Sequence, residues 1–281
     1  GAEADLRLYG LAGSAAAVAL NELLPEGSGP MIVVADSHDD AGYLHHDLSR
    51  LAGEEAVAIM PSGYRRDIRF GLPDAPQQIL RVDALSRLAG DTRLRFVVTY
   101  PEALAEGVAE RDTLAASTIS IATGSQLDLT ATMRRLRELG FKETDYVYEP
   151  GQFARRGSIL DIFGYSHELP YRIDLFGDEV DSIRTFDIET QLSAERMADV
   201  TITANVADEA SHMSLLDFVP DTTVVALRDA AYTLSRIRAL SGETLSANAE
   251  LASEENIDRD ALKRLVDPDE IERRLSALRG I

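Results

Sequence analysis

The chain has 281 residues, 45% of them hydrophobic and 27% charged, which is enough for a sizeable core in two or three compact units and excludes wholesale disorder. Its 48 acidic against 28 basic residues give a net charge of -20, and it has no tryptophan and no interleaving of aromatic with basic residues, so direct nucleic-acid binding by this chain is disfavoured and protein partners are expected. The absence of cysteine excludes disulfides, thiolate metal sites and a cysteine nucleophile and fits a cytoplasmic protein, and no apolar run approaches the length of a membrane span.

The chain opens Gly1-Ala2 without a methionine, the pattern of a processed or truncated protein. The stretch LYGLAGSAAAVAL (8–20) then runs from an apolar segment through glycines into an apolar helix, the order of parts in a phosphate-binding loop. Gly10 and Gly13 fit that template, whereas Ala15, Ala16 and Ala17 stand where the last glycine, the lysine and the Ser/Thr belong. MIVVAD (31–36), AVAIMP (56–61) and RFVVTY (95–100) are short continuous apolar runs, as buried parallel strands are. Between them the spacing predicts helices over Asp40–Leu51 (Ala41, Leu44, Leu48, Leu51) and Ala75–Leu88 (Ile79, Val82, Leu85, Leu88). The connection 61–76 is Gly/Pro-marked and the most basic piece of this half.

From STISIAT (117–123) a unit of different character begins. A helix striped by Leu127, Met133, Leu136 and Leu139 stops at Gly140, and the block 146–187 reads as antiparallel hairpins separated by Pro-Gly, Gly-Tyr-Ser and Gly-Asp-Glu turns. After about residue 205 come SLLDFVP, the strand TTVVALRD (222–229) and helices, the last started by Asp267 as cap, Pro268 in the first turn and Glu270 as the capping-box partner. The expected fold is α/β: a P-loop-like parallel-sheet domain built from both chain ends (1–117 and 205–281), carrying an inserted α+β docking domain of antiparallel hairpins (118–204).

Candidate chemistry is sparse. In PYRIDLF, Tyr171, Ile173 and Leu175 share one strand face, and Arg172, Asp174 and Phe176 share the other. A phenylalanine beside an arginine at a turn has the composition of an interface hot spot; the alternative is that Phe176 folds over the turn as peripheral core and Arg172 pairs with neighbours of Asp174. His38, His45 and His46 with Asp36, Asp39, Asp40 and Asp47 are the densest ligand types but match no metal-ligand spacing, so no metal site is expected. Ser14 and Ser62 lack a nucleophile context, the acids of GDEVDS (177–182) form no paired acid and base, and no catalytic residue is assigned.

The segment PGQFARRGSILDIF…LPYRIDLFGDEVDSIRTFDIETQLS (150–193) closely resembles the corresponding segment shared by the bacterial repair protein UvrB and the transcription-repair coupling factors. UvrB has an intact phosphate loop and a tyrosine-rich DNA-gripping hairpin; here the loop lacks its last three functional residues and the connection 61–76 carries only Tyr64, as in the coupling factors. Where the UvrB pattern ends a strand in the magnesium-holding Asp-Glu-Ser-His, this chain has Arg228, Asp229, Ala230 and Ala231, which reverses the local charge. The resemblance implies the N-terminal module of a coupling factor, recruiting UvrA to RNA polymerase stalled at DNA lesions, with a degenerate nucleotide site and no cofactor of its own. ATP and magnesium would serve the translocase motor of the longer parent protein, whose partners include RNA polymerase and duplex DNA, and whose docking face is masked until the motor engages. The family's UvrA-contacting positions align with Arg156, Arg172 and Phe176; Arg155 and Arg184 are basic neighbours without an assigned role. Truncating Arg172 or Phe176 is expected to weaken UvrA binding by about tenfold or more without unfolding the domain. The alternatives are a UvrB-like NTPase or helicase fragment acting on damaged DNA, and DNA binding through Arg65, Arg66 and Arg69.

Overall fold

The computed structural model describes residues 6–24, 29–63, 75–167, 169–206, 213–251 and 265–280. Arg65, Arg66 and Arg69, the basic residues considered for DNA binding, lie outside them. The chain divides into two compact units, one made of residues 1–111 with 209–281 and the other of 112–208.

In chain order the elements are α1 (Ala15–Leu23), β1 (Met31–Val34), α2 (His38–Ala52), β2 (Val57–Ile59), α3 (Ala75–Gly90), β3 (Phe96–Thr99), α4 (Pro101–Ala105) and α5 (Arg111–Ala116). Then follow β4 (Thr118–Ala122), α6 (Leu129–Glu138), β5 (Lys142–Glu143), β6 (Gln152–Arg156), β7 (Ile159–Phe163), β8 (Tyr171–Phe176), β9 (Glu179–Phe186), β10 (Ser193–Met197) and β11 (Asp199–Thr203). The chain closes with α7 (Leu215–Phe218), β12 (Val224–Leu227), α8 (Ala230–Leu251), α9 (Pro268–Ala277) and β13 (Arg279–Gly280).

The first unit holds a five-stranded parallel sheet in the order β13-β12-β1-β3-β2, so the two ends of the chain meet in one sheet. The continuous apolar runs explain the parallel pairing: β1 and β3 are buried at every position, as a strand covered on both faces must be. Met31, Val33, Phe96 and Val98 pack with Ala17 and Leu20 of α1 and Ala41 and Leu48 of α2. Ser37 caps α2 by accepting from the Asp40 N–H, and Gly53 ends it at φ +95°. The predicted stripe of α2 holds through Leu48, but Leu51, in the last turn, is exposed. Asp267 caps α9 by accepting from the Asp269 N–H with Pro268 behind it, while Glu270 turns outward to Arg273 at 3.0 Å and does not close the reciprocal box.

The apolar segment before the N-terminal glycines forms no strand. Gly10 and Gly13 take the left-handed conformation of a tight turn (φ +78° and +55°), yet Leu6, Leu8, Leu11 and Tyr9, the last 83% exposed, pair with no neighbouring strand. A phosphate loop hangs between a sheet strand and a helix; among the described residues only the turn and the helix are present here. Ser14 stands at the helix start without a side-chain cap. Among the described residues no helix is long and apolar enough to cross a membrane.

The second unit is built on a six-stranded sheet, β10-β9-β8-β7-β6-β5, antiparallel except for the short parallel pair β5/β6. A separate two-stranded ribbon pairs β4 with β11 across a long separation in sequence. Phe153, Leu160, Ile162, Tyr171, Ile173, Leu175 and Ile183 line one face of the large sheet and pack against Met133 and Leu136 of α6 and Ile121, Val200 and Ile202 of the ribbon. Asp128 caps α6 and Gly140 closes it at φ +82°. The opposite face carries a smaller apolar cluster, Val147, Ala154, Phe163 and Phe186, beside a group of charged side chains.

Candidate functional site

The strand β8 alternates as its sequence predicts: Tyr171, Ile173 and Leu175 are buried, Arg172 and Asp174 are half-buried, and Phe176 is exposed. Register then decides what Arg172 meets. Asp161 of β7 lies directly opposite Arg172, and Ala154 of β6 lies opposite Asp161, so the three share the second face. The Asp161 side chain is only 2% exposed, and a buried carboxylate needs donors. Arg172 supplies two, Nε donating to Oδ1 at 2.8 Å and Nη2 to Oδ2 at 2.9 Å, in the parallel fork geometry that suits a guanidinium. Arg156, at the end of β6, donates to the same Oδ2 from its own Nη2. One carboxylate is thus shared by two guanidiniums.

Arg172 is further fixed. It donates to the Gln191 carbonyl (3.2 Å) and the Gln191 side-chain oxygen (3.0 Å), and its guanidinium lies 4.2 Å from the centre of the Phe186 ring. Gln191 adopts φ +60°, a left-handed backbone uncommon for a residue with a side chain, in the connection between β9 and β10. The Asp161 hydrogen bonds hold the Arg172 guanidinium above its usual range, and with a side chain only 12% exposed it is the inner member of the cluster. Arg156, 32% exposed, is the outer one; its guanidinium stacks on the Tyr146 ring at 4.8 Å. Asp174 itself pairs with Arg184, at 3.5 Å, while Arg172 pairs with Asp161, which lies diagonal to Asp174 on the same face.

Phe176 is 84% exposed at the β8–β9 hairpin, where Gly177 turns the chain at φ +67°. It does not fold over the turn as peripheral core. Arg172 and Arg184 stand opposite each other on adjacent strands, and Arg196 stands opposite Arg184, so like charges line up across β8, β9 and β10, an arrangement that costs stability unless carboxylates intervene. Arg155 is exposed and donates from Nε to the Gly157 carbonyl at 3.3 Å.

The residues of the nucleotide-loop template sit in the first unit. Ala15 is exposed, Ala16 half-buried and Ala17 fully buried against the sheet, so position 17 faces the core and not a ligand. At the carboxyl ends of β12 and β1, Arg228 reaches Asp36 across 3.0 Å, and Asp229 accepts the Tyr232 N–H at 2.9 Å as the first turn of α8 begins. His38 lies 3.4 Å from Asp39 and edge-on to Tyr100, and burial, then Arg87, lowers the His45 pKa. Among the described residues no group of three or more His, Asp or Glu converges to hold a metal ion.

Two participants carry no sequence signal strong enough to single them out. In the sequence Asp161 is only one of several acids balancing the local arginines, although its two-residue offsets from Ile159 and Phe163 place it on the face that Arg172 shares. Tyr146 lies in an irregular segment with no periodicity to place it.

Residues 119–207 match the family described as the UvrB interaction domain. The chain is similar to the transcription-repair-coupling factor of Escherichia coli K12, 30% identical over 202 residues, covering 70% of this chain and 17% of that protein. It is likewise similar to those of Bacillus subtilis 168 (29% over 195 residues, 69% and 16%) and Myxococcus xanthus (30% over 203 residues, 70% and 17%). The matched region spans only 16–17% of the length of these relatives. Residues 119–207 therefore match the UvrB interaction domain family, and 70% of the chain is similar to one segment of the transcription-repair-coupling factors.

Proposed function

We propose that this chain recruits UvrA, and with it nucleotide excision repair, acting as the N-terminal module of a transcription-repair coupling factor in the cytoplasm. The observation that carries the reading is one sheet face, inside the segment matched to the UvrB interaction domain, on which Arg156 and Arg172 converge on Asp161 while Phe176 stands exposed beyond them. Exposed aromatics next to rigidly held arginines are the usual anchors of a protein interface, because little side-chain freedom is lost on binding. In this reading Arg156 and Phe176 contact UvrA, and Arg172 contacts it with its outer edge while ordering the face.

The module itself uses no nucleotide and no metal. The unstranded glycine turn, the buried Ala17 and the Arg228–Asp36 pair support a P-loop-like domain that has lost its chemistry. ATP-driven translocation, RNA polymerase and duplex DNA belong, in this proposal, to the rest of a longer parent protein. Co-precipitation of purified UvrA with the chain tests the docking: wild type should retain UvrA and Arg156→Glu should lose most of it, and equal retention by both sinks the assignment.

A further inference from the structure

Beside the Arg156–Asp161–Arg172 cluster lies an open cleft of about 690 Å3, lined by Glu143, Thr144, Asp145, Tyr146, Arg155 and Arg156. Its two walls carry opposite charge. One wall is the end of β6, with Arg155 and Arg156. Arg155 has no carboxylate within ion-pair distance among the described residues, and Arg156 shares its only one with Arg172, so positive charge there is uncompensated. The other wall is the segment from Glu143 to Tyr146. Glu143 is held by Arg137, with contacts of 2.6 and 3.2 Å, and the carboxylate of Asp145 has no cationic partner among the described residues.

The walls are fixed before any partner arrives. The Thr144 N–H donates to the Phe153 carbonyl at 2.9 Å, tying the segment to β6, and the Thr144 hydroxyl donates to the Tyr146 carbonyl at 2.8 Å. The Tyr146 ring, half exposed, is pinned by the Arg156 guanidinium. An exposed tyrosine held in place next to an unpaired arginine and an unpaired aspartate is a preorganised polar site, where little further ordering is needed on binding.

We propose that this cleft is a second anchor of the docking face, and that it takes a surface element of UvrA carrying an acidic side chain beside a basic one, the acid to Arg155 and Arg156 and the base to Asp145, with aliphatic stems against Tyr146. The assignment rests on the docking reading above and shares Arg156 with it, but adds Asp145, Tyr146 and Arg155, which that reading does not use. Charge complementarity picks the occupant: a purely acidic element would meet Asp145, and a purely basic one would meet Arg155 and Arg156.

The test is titration of UvrA with the full chain at low and at physiological salt, comparing wild type, Arg155→Glu, Asp145→Lys and Phe176→Ala. Each charge reversal should weaken binding about fivefold to tenfold, more at low salt, without lowering the unfolding temperature, since neither side chain is buried. If both reversals bind within twofold of wild type while Phe176→Ala loses affinity, the cleft is not an anchor and the docking face stands without it. If only Arg155→Glu weakens binding, the bipolar occupant is wrong. Absence of UvrA binding by wild type removes the docking reading and this anchor together.

Discussion

Replacing Arg172 by alanine separates what holds the docking face together from what it presents. The substitution removes both hydrogen bonds to Asp161, both to Gln191, and the contact with the Phe186 ring. Stripping one member from a fully buried ion pair costs about 3–5 kcal/mol. Here Arg156 stays on the carboxylate and the cluster is partly open to water, which reduces that term to roughly half, while losing the guanidinium–ring contact adds about 0.5–1 kcal/mol. The expected loss is therefore about 2–3 kcal/mol, a large share of the stability of a small domain. Urea unfolding followed by circular dichroism, with separate transitions fitted for the two units, reads it out. Phe176→Ala, which uncovers nothing, should stay within about 0.5 kcal/mol of wild type. A double-mutant cycle of Arg172→Ala with Asp161→Ala should give a coupling of about 1 kcal/mol or more. Equal stability of Arg172→Ala and Phe176→Ala, or additive effects in the cycle, would refute the shared-carboxylate account. It follows that loss of UvrA binding by Arg172→Ala alone cannot be assigned to a direct contact.

Other outcomes follow from the same geometry. Gly151 has φ +83°, and a Cβ there would lie 2.5 Å from the Tyr165 hydroxyl, so Gly151→Ala should destabilise the second unit by about 1–3 kcal/mol in the same urea assay. Asp83 on α3 has its pKa pushed up to about 6, first by burial. The fold thus favours the neutral acid, and at about 1.4 kcal/mol per pK unit the ionised form costs up to ~3 kcal/mol above pH 6. Asp83→Asn should raise the unfolding temperature at pH 7.5, and the gain should vanish towards pH 4, near the unfolded carboxyl's pKa; a pH-independent effect would contradict this. ATP with magnesium should leave the unfolding temperature of the chain unchanged, and Ala16→Lys with Ala17→Thr should not create turnover. Position 17 is sealed in the core, so its hydroxyl would be buried away from any phosphate.

Periodicity alone makes parts of this molecule legible. The unbroken apolar runs at 31–34 and 96–98 have only one comfortable place, the middle of a covered sheet, and the alternation of 171–176 determines which side of β8 looks inward. What periodicity does not reveal is non-local or polar. Strand β10, Ser193–Met197, is almost wholly exposed and shows no alternation, and β4 finds β11 only after the entire hairpin block has intervened. The apolar run before Gly10 has the composition of a strand but no place beside β1, which β12 and β3 already flank. Arg172 and Phe176 are visible in the sequence as a pair on one face; that Arg172 is a clamp and Phe176 a free contact depends on Asp161, which only register brings opposite.

The most direct measurement of the central claim is the affinity of purified UvrA for the chain with and without Phe176→Ala. The exposed ring contributes nothing to the core, so the variant should unfold like wild type and bind at least about tenfold more weakly. Unchanged affinity in a variant that folds normally would contradict the account, because the docking face would then lie elsewhere.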